Sequence, residues 1–306
     1  MPRFTGKVVI VTGSSFGIGR ATALLFAKEG AKVTVTGRNE ERLEESKNAL
    51  LSAGIKEAKL NFVIADITTS SGQDELISST IQKFKKIDIL INNAGAAIPD
   101  AEGRRGLDQG IDTFKSMLDL NVQSVIEMTQ KIRPYLAKSK GEIVNISSIA
   151  GCSFANGKNP YYATAKAALN QYTRSAAIEL IAEGIRVNIV SPGIVTTGFA
   201  SASGMDADKF YTETAKNPES IPCGFCGKPE HIAKVVAFLA DRDSSEYIVG
   251  QNIIADGGTT LLTAFHGNMA ASARAAAAAP SHAPTSRNGS RAVSASRNGS
   301  GSKKSH

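Results

Sequence analysis

The feature that most constrains the fold lies between residues 8 and 19. Val8-Val9-Ile10-Val11 is an unbroken β-branched run, the mark of a strand buried on both faces. It passes directly into Thr12-Gly13-Ser14-Ser15-Phe16-Gly17-Ile18-Gly19, and a helical pattern follows to Lys28. A strand, a glycine-rich turn and a helix in that order make a cradle for a pyrophosphate. One glycine permits the tight turn, one lets backbone approach the ligand, and one lets helix and strand pack closely. The helix start contributes free N–H groups and a partial positive charge. Gly13, Ser15, Gly17, Ile18 and Gly19 are the expected phosphate-side contacts.

The rest of the chain repeats the strand–helix alternation. Strands are predicted at Lys7–Thr12, Lys32–Thr36, Leu60–Ala65, Ile87–Asn92, Glu142–Ser147, Arg186–Ser191 and Gln251–Ala255. Helices are predicted at Ile18–Lys28, Glu40–Ala53, Gln73–Phe84, Ile111–Arg133, Tyr161–Ile181 and Pro229–Ala240. Strand runs without polar alternation, separated by helices, call for a parallel sheet covered on both faces. The expected fold is α/β: a doubly wound, Rossmann-type parallel sheet of about seven strands in a single domain, residues 1–266.

Composition changes beyond His266. Residues 267–306 carry six basic side chains and no acidic one, an alanine run and a twice-repeated Ser-Arg-Asn-Gly-Ser. Such a segment buries too little apolar area to offset its ordering entropy, and is expected to be a disordered basic tail. The formal net charge of +7 belongs to this tail, since the remaining residues hold 29 basic and 28 acidic groups. A nucleic-acid or membrane partner is therefore not expected for the core. No apolar run approaches the ~18 residues of a membrane span. Three cysteines do not make a disulfide scaffold, so a cytoplasmic setting is expected.

Cofactor choice is readable after the second strand, in Thr36-Gly37-Arg38-Asn39. A carboxylate there would hold the ribose 2′-hydroxyl of NAD. Arg38 instead offers a planar cation suited to a 2′-phosphate, with Arg20 as a helper. This favours NADP(H) over NAD(H). Asp66 follows the third strand, where it can accept from the adenine amino group or equally stand as a solvated carboxylate at a strand end. Asn93 and Gly95, in Asn92-Asn93-Ala94-Gly95, are placed beside the adenosine ribose, although the asparagines can equally serve to join strand ends.

The chemistry is concentrated in Tyr162-Ala163-Thr164-Ala165-Lys166, where Tyr162 and Lys166 share one helix face. A free phenol has a pKa of about 10, and a nearby ammonium together with a cationic nicotinamide would bring it toward the working range. Ser148 ends the fifth strand, where its hydroxyl can bond a carbonyl oxygen and the charge developing on it. Asn121 lies in the long helix, where its amide can hold a water near the lysine. Pro192, Gly193, Val195 and Thr197 follow the sixth strand, where backbone groups can bind a carboxamide.

With these residues in place, the chain resembles the single-domain branch of the short-chain dehydrogenase/reductase superfamily. The motifs are Thr12-Gly13-x3-Gly17-x-Gly19, Asn92-Asn93-Ala94-Gly95, Asn121, Ser148, Tyr162-x3-Lys166 and Pro192-Gly193, over about residues 4–262. Within it the chain is most similar to tropinone-reductase-like and 3-oxoacyl-carrier-protein-reductase-like proteins, including nematode members. The resemblance implies hydride transfer between NADP(H) and a ketone or secondary alcohol. It implies Tyr162 as acid/base, Lys166 lowering its pKa and binding ribose, Ser148 positioning the carbonyl and Asn121 holding a relay water. It also implies a homodimer or homotetramer joined through helices 111–133 and 161–181. The alternative is a cofactor-binding protein with vestigial catalysis, acting through its oligomer surface or basic tail.

Two stretches beside the substrate region depart from the family pattern: Gly95 to Asn121 is a few residues longer than in compact members, and Ser148 and Tyr162 are fourteen apart, one more than usual. The loop 194–228, with Phe199, Met205, Phe210 and Tyr211, is expected to form a lid over a small, apolar substrate. Cys223-Gly224-Phe225-Cys226 lacks a second ligand pair, so no metal site is expected. No histidine is placed for catalysis.

Overall fold

The computed structural model of the chain describes residues 2–152, 159–198, 206–217 and 219–262. The basic tail, Phe199 and Met205 lie outside the described residues. Seven strands form one fully parallel sheet: β1 Val8–Val11, β2 Lys32–Gly37, β3 Leu60–Ile64, β4 Ile89–Asn92, β5 Glu142–Ile146, β6 Arg186–Pro192 and β7 Asn252–Ala255. Their order is β3-β2-β1-β4-β5-β6-β7. The sequence direction reverses between β1 and β4, which opens a crevice at the carboxyl ends of these two strands.

Alternation along each strand feeds two cores, since successive side chains point to opposite faces. On one face Val9, Val11, Val33 and Val35 pack against α1 (Gly17–Lys28), α2 (Glu40–Ser52) and, further along the chain, the Pro229–Ala240 helix. On the other face Ile10, Leu90, Ile143 and Val187 pack against α3 (Ser70–Phe84) and the two long helices that follow β4 and β5. No helix among the described residues is long and apolar enough to cross a membrane.

The sequence reading places every strand, and its differences lie in the helices. The single helix expected at 111–133 is α4 (Ile111–Leu118), a π turn at Asp119–Gln123 and α5 (Ser124–Ser139) in succession. The π turn contains Asn121, and such turns often mark functional positions. Pro134 does not end the helix as expected. Burial of Ile132 and Leu136 on either side outweighs the lost backbone bond. α3 begins at Ser70 rather than Gln73, because Thr69 caps it by accepting from Gly72 N at 3.1 Å. Beyond β5, α6 (Pro160–Leu180) matches its expected span to within a residue. The region read as an unbroken loop, 194–228, contains α7 (Ala207–Lys216), capped by Asp206. α8 (Pro229–Ala240) follows, with a short α9 (Arg242–Ser245) not foreseen.

At the amino-terminal edge of the sheet, Glu142 of β5 and Arg186 of β6 form a buried ion pair of 2.9 Å, and Arg242 Nε lies 2.7 Å from the same carboxylate. Arg186 is 1% exposed and also donates to the carbonyls of Leu239, Ser245 and Ile248. It thereby ties β6 to the end of α8. Burial pushes the Glu142 carboxyl up to about 7, against the pull of both arginines. Glu142→Ala strands the Arg186 guanidinium in a dry site and is expected to cost about 3–5 kcal/mol. Urea denaturation measures this; a loss below about 1 kcal/mol would mean that the pair is solvated.

Candidate active site

The glycine turn is fixed from both sides. Thr36 N donates to Ser14 Oγ at 2.9 Å, and Ser14 N donates to Thr36 O, so β2 holds the turn's outer side. On the inner side Thr12 Oγ1 accepts from the amides of Asn93 and Ala94, each at 3.0 Å. The Asn93 side-chain amide returns two bonds, to Thr12 O and Gly13 O. Gly13 has φ +61°, and a methyl there would lie 2.8 Å from Ala94 Cα. At Gly19 a methyl would lie 2.3 Å from Gly13 O. These two positions require glycine. α1 begins at Gly17; its N-cap residue Phe16 makes no side-chain cap and its first turn has no acidic residue, so its first amide N–H groups stand beside the cavity without a helix carboxylate.

At the end of β2, Arg38 is 68% exposed and its guanidinium lies 3.6 Å from Asp66. Asp66 accepts from the Thr68 amide and hydroxyl. Burial raises its pKa, but these bonds and Arg38 outweigh it and hold the carboxyl below its ordinary value. Arg20, the expected helper, points elsewhere: its guanidinium is taken by Ser15 O, Ser46 Oγ and Glu45. Arg42 stands in its place, lining the cavity with its guanidinium 5.4 Å from the Phe16 ring centroid. No carboxylate among the described residues pairs with it. The sequence signal for Arg42 was its place one turn after Arg38, at the start of α2.

The catalytic-type residues meet at the other end. Tyr162 and Lys166 are 8% and 3% exposed. The Tyr162 hydroxyl is hydrogen-bonded to Ser148, whose Oγ also accepts from Ala150 N. Lys166 Nζ donates to Ile146 O at 2.9 Å and sits 5.8 Å from the Tyr162 ring centroid. Asn121 is fully buried, with its Nδ2 donating to Ala96 O and Met117 O and its Oδ1 unpartnered. That oxygen and Lys166 Nζ converge on Gly95, where a methyl would lie 2.7 Å and 3.0 Å from them. The lysine was expected to draw the phenol's pKa down. Within the protein alone burial dominates: it pushes Tyr162 up to about 12, against the Ser148 hydrogen bond, and Lys166 down to about 7.

A cavity of about 810 Å³ joins the two ends. Gly13, Ser15, Gly17, Ile18, Arg38, Asp66, Asn93, Gly95, Ser148, Tyr162, Lys166, Pro192, Gly193, Val195 and Thr197 all line it. Of the expected site residues, Gly19 and Asn121 are the two that stand just behind the wall. Among the lining residues that the sequence reading did not assign to the site are Asn159 and Thr259. Cys223 and Cys226 are free thiols, one exposed and one buried, and no metal-binding group of three side chains occurs among the described residues. The uncapped α1 start, the glycine cradle and the unpartnered Asn121 oxygen fit a dinucleotide.

The family model described as enoyl-(acyl carrier protein) reductase matches residues 13–260. The chain is 36% identical over 265 residues to a 3-oxoacyl-[acyl-carrier-protein] reductase of Thermotoga maritima, covering 85% of this chain and all of the relative. It is 35% identical to the dehydrogenase/reductase SDR family member 4 of Caenorhabditis elegans, covering 84% of this chain and 96% of that one. Among solved structures it is similar to a Caenorhabditis elegans short-chain dehydrogenase/reductase of unknown function with cofactor. That match has 58% identity, a TM-score of 0.85, and covers 87% of this chain and 99% of the other. The chain belongs to the short-chain dehydrogenase/reductase family. It is an oxidoreductase that uses a nicotinamide cofactor and acts on CH–OH and C=O groups.

The buried lysine sets a pH dependence of stability. Unfolded, Lys166 titrates near its ordinary value of 10.5; folded, near 7. Between those values the unfolded chain binds the extra proton, so stability rises with pH across that window. The raised Tyr162 acts in the opposite sense only above pH ~10. Lys166→Met is expected to remove a rise on the order of 3 kcal/mol between pH 7 and 10, read from urea denaturation at both values. An equal slope in both proteins would place the ammonium in water.

Proposed function

We propose that this protein is an NADP(H)-dependent reductase of uncharged ketones, or in reverse a dehydrogenase of the matching secondary alcohols. The observation that carries the reading is the Tyr162–Ser148 hydrogen bond at the cavity wall, one helical turn from Lys166. The nicotinamide, when bound, supplies or accepts the hydride. Tyr162 gives its phenolic proton to the carbonyl oxygen as the hydride reaches the carbon, so C=O becomes CH–OH. Ser148 donates a second hydrogen bond to that oxygen and stabilises its developing charge. Lys166 holds ribose hydroxyls and restores the proton through water kept by the Asn121 oxygen. Pro192, Gly193, Val195 and Thr197 border the carboxamide.

Arg38 and Arg42, flanking the start of α2, are the reason for NADP(H) over NAD(H). Two guanidinium groups meet the charge of a 2′-phosphate, where a carboxylate would repel it. Gly13, Ser15, Gly17, Ile18 and Gly19 form the pyrophosphate side, with Asp66 at the adenine and Asn93 and Gly95 at the ribose. At the catalytic end Lys166 is the one ionisable cation among the described lining residues, which supports an uncharged and largely apolar substrate. We place this chemistry in a single domain over residues 1–266, with 267–306 as a separate basic tail. We also propose a homodimer or homotetramer built on α5 and α6, where Ile178 is 76% exposed. The free thiols suit a cytoplasmic setting.

The test is consumption of NADPH and, separately, NADH across a cyclic amino-ketone, a 3-oxoacyl thioester, a steroid ketone, a diketone and a quinone. Turnover with NADPH is expected, with Tyr162→Phe slower by at least about 100-fold. Arg38→Ala/Arg42→Ala is expected to raise the NADPH KM by about 10–100-fold and to leave the NADH KM unchanged. Preference for NADH in the wild type would overturn the cofactor assignment. Full activity in Tyr162→Phe would overturn the proton role.

A further inference from the structure

The chain after β6 closes over the glycine turn. A methyl at Gly17 would lie 3.3 Å from Thr197 Cγ2, and one at Gly198 would lie 2.6 Å from the Phe16 ring. Residues 197–198 therefore form a strap across the cavity, resting on the turn that receives the pyrophosphate. The strap's base is fixed. Thr196 N donates to Gly227 O, Gly227 N donates to Ile194 O, each at 2.8 Å, and Val195 and Gly227 form a bridge.

At its far end the strap is tied to Tyr211. Tyr211 Oη donates to Thr197 O at 2.7 Å and accepts from Thr197 N at 3.2 Å. A single hydroxyl thus satisfies both backbone polar groups of Thr197. Tyr211 sits on α7, which has no fully buried residue. Only one face of that helix, Ala207, Phe210, Tyr211, Thr214 and Ala215, is even half-buried. Apolar burial alone holds such a helix weakly, so polar ties matter to its docking: the Tyr211 hydroxyl to Thr197, and Cys226 Sγ, which donates to Tyr211 O at 3.5 Å. Phe210 and Tyr211 also line the cavity, with their rings 5.3 Å apart edge to face.

We infer that Tyr211 is a positioning residue that clamps the Thr197 strap over the bound dinucleotide and so sets how fast it leaves. This rests on the reading of the cavity as a dinucleotide site. The clamp joins the two halves of the cavity: the helix that walls the substrate end also holds the strap that retains the cofactor. A neutral hydrogen bond lost from a half-buried site weakens closure several-fold, and this hydroxyl makes two. Tyr211→Phe keeps the ring and its packing on Phe210 and removes only the clasp.

The experiment uses the full chain. NADPH and NADH affinities are measured by nucleotide fluorescence, release rates by stopped-flow displacement, and amide exchange by mass spectrometry over the peptide containing Thr197. Tyr211→Phe is expected to release the preferred dinucleotide about tenfold faster and to weaken its Kd in proportion. Exchange at the Thr197 peptide should quicken, while Tm stays within about 2 °C of the wild type. A merely structural tyrosine would lower Tm without a selective change in release. An unchanged release rate and exchange, in a wild type that binds a dinucleotide, overturns the clamp alone. A wild type that binds neither NADPH nor NADH overturns the dinucleotide reading together with the clamp.

Discussion

The lock between Thr12 and Asn93 is the constraint on which the site depends. Four hydrogen bonds pass between the ends of β1 and β4: two into the threonine hydroxyl and two out of the asparagine amide. They are made at the point where the strand order reverses, so they hold open the crevice that a doubly wound sheet offers to a ligand. The same lock places Gly19 and Gly13 within a methyl's width of one another and of Asn93, which explains why the turn tolerates no side chain there. It also fixes the chain two residues on. Gly95 stands where the Asn121 oxygen and the Lys166 ammonium converge, so the phosphate cradle and the proton-handling groups are set by one piece of backbone.

Burial decides the electrostatics at the far end of the cavity. The phenol of Tyr162 and the ammonium of Lys166 are both withdrawn from water, and each is driven toward its neutral form. A neutral phenol is a proton donor, and a lysine near 7 exchanges protons at the pH of the cell. The lysine does not acidify the tyrosine by proximity alone, since desolvation outweighs it. A phenolate becomes accessible only when a further positive charge enters the pocket. A neutral, buried phenol accords with the proton-donor role proposed for Tyr162 in carbonyl reduction.

Most of the fold was legible because its signals are local. Strands buried on both faces announce themselves as runs such as Val8–Val11 and Ile89–Asn92, and glycine marks the turn between β1 and α1. Nearly all the site residues named from sequence line one cavity, because motif spacing fixes them to strand ends and one helix face. What escaped depends on tertiary contacts. Arg20 and Arg42 look alike in sequence; Ser15 O, Ser46 and Glu45 capture the first and leave the second at the cavity. α5 continues past Pro134 because burial of its neighbours overrides the proline. α7 was hidden in a small-residue segment with a weak apolar face, and the Glu142–Arg186–Arg242 cluster joins residues up to 100 apart.

On the NADP(H) reading proposed above, the charge pattern of the cavity favours one direction of dinucleotide binding. Arg38 and Arg42 stand at the β2 end, the uncapped start of α1 faces the middle, and the catalytic end carries a lysine that burial holds near neutrality. A ligand with a negative ribose phosphate, a central pyrophosphate and a cationic ring matches this sequence of potentials in one orientation only. Reversed, its cationic ring would face two guanidinium groups and its ribose phosphate would enter a dry pocket with a single weak cation. The first misplacement is screened by water at the exposed arginines; the second would bring a multiply charged phosphate into the buried end without matching cations.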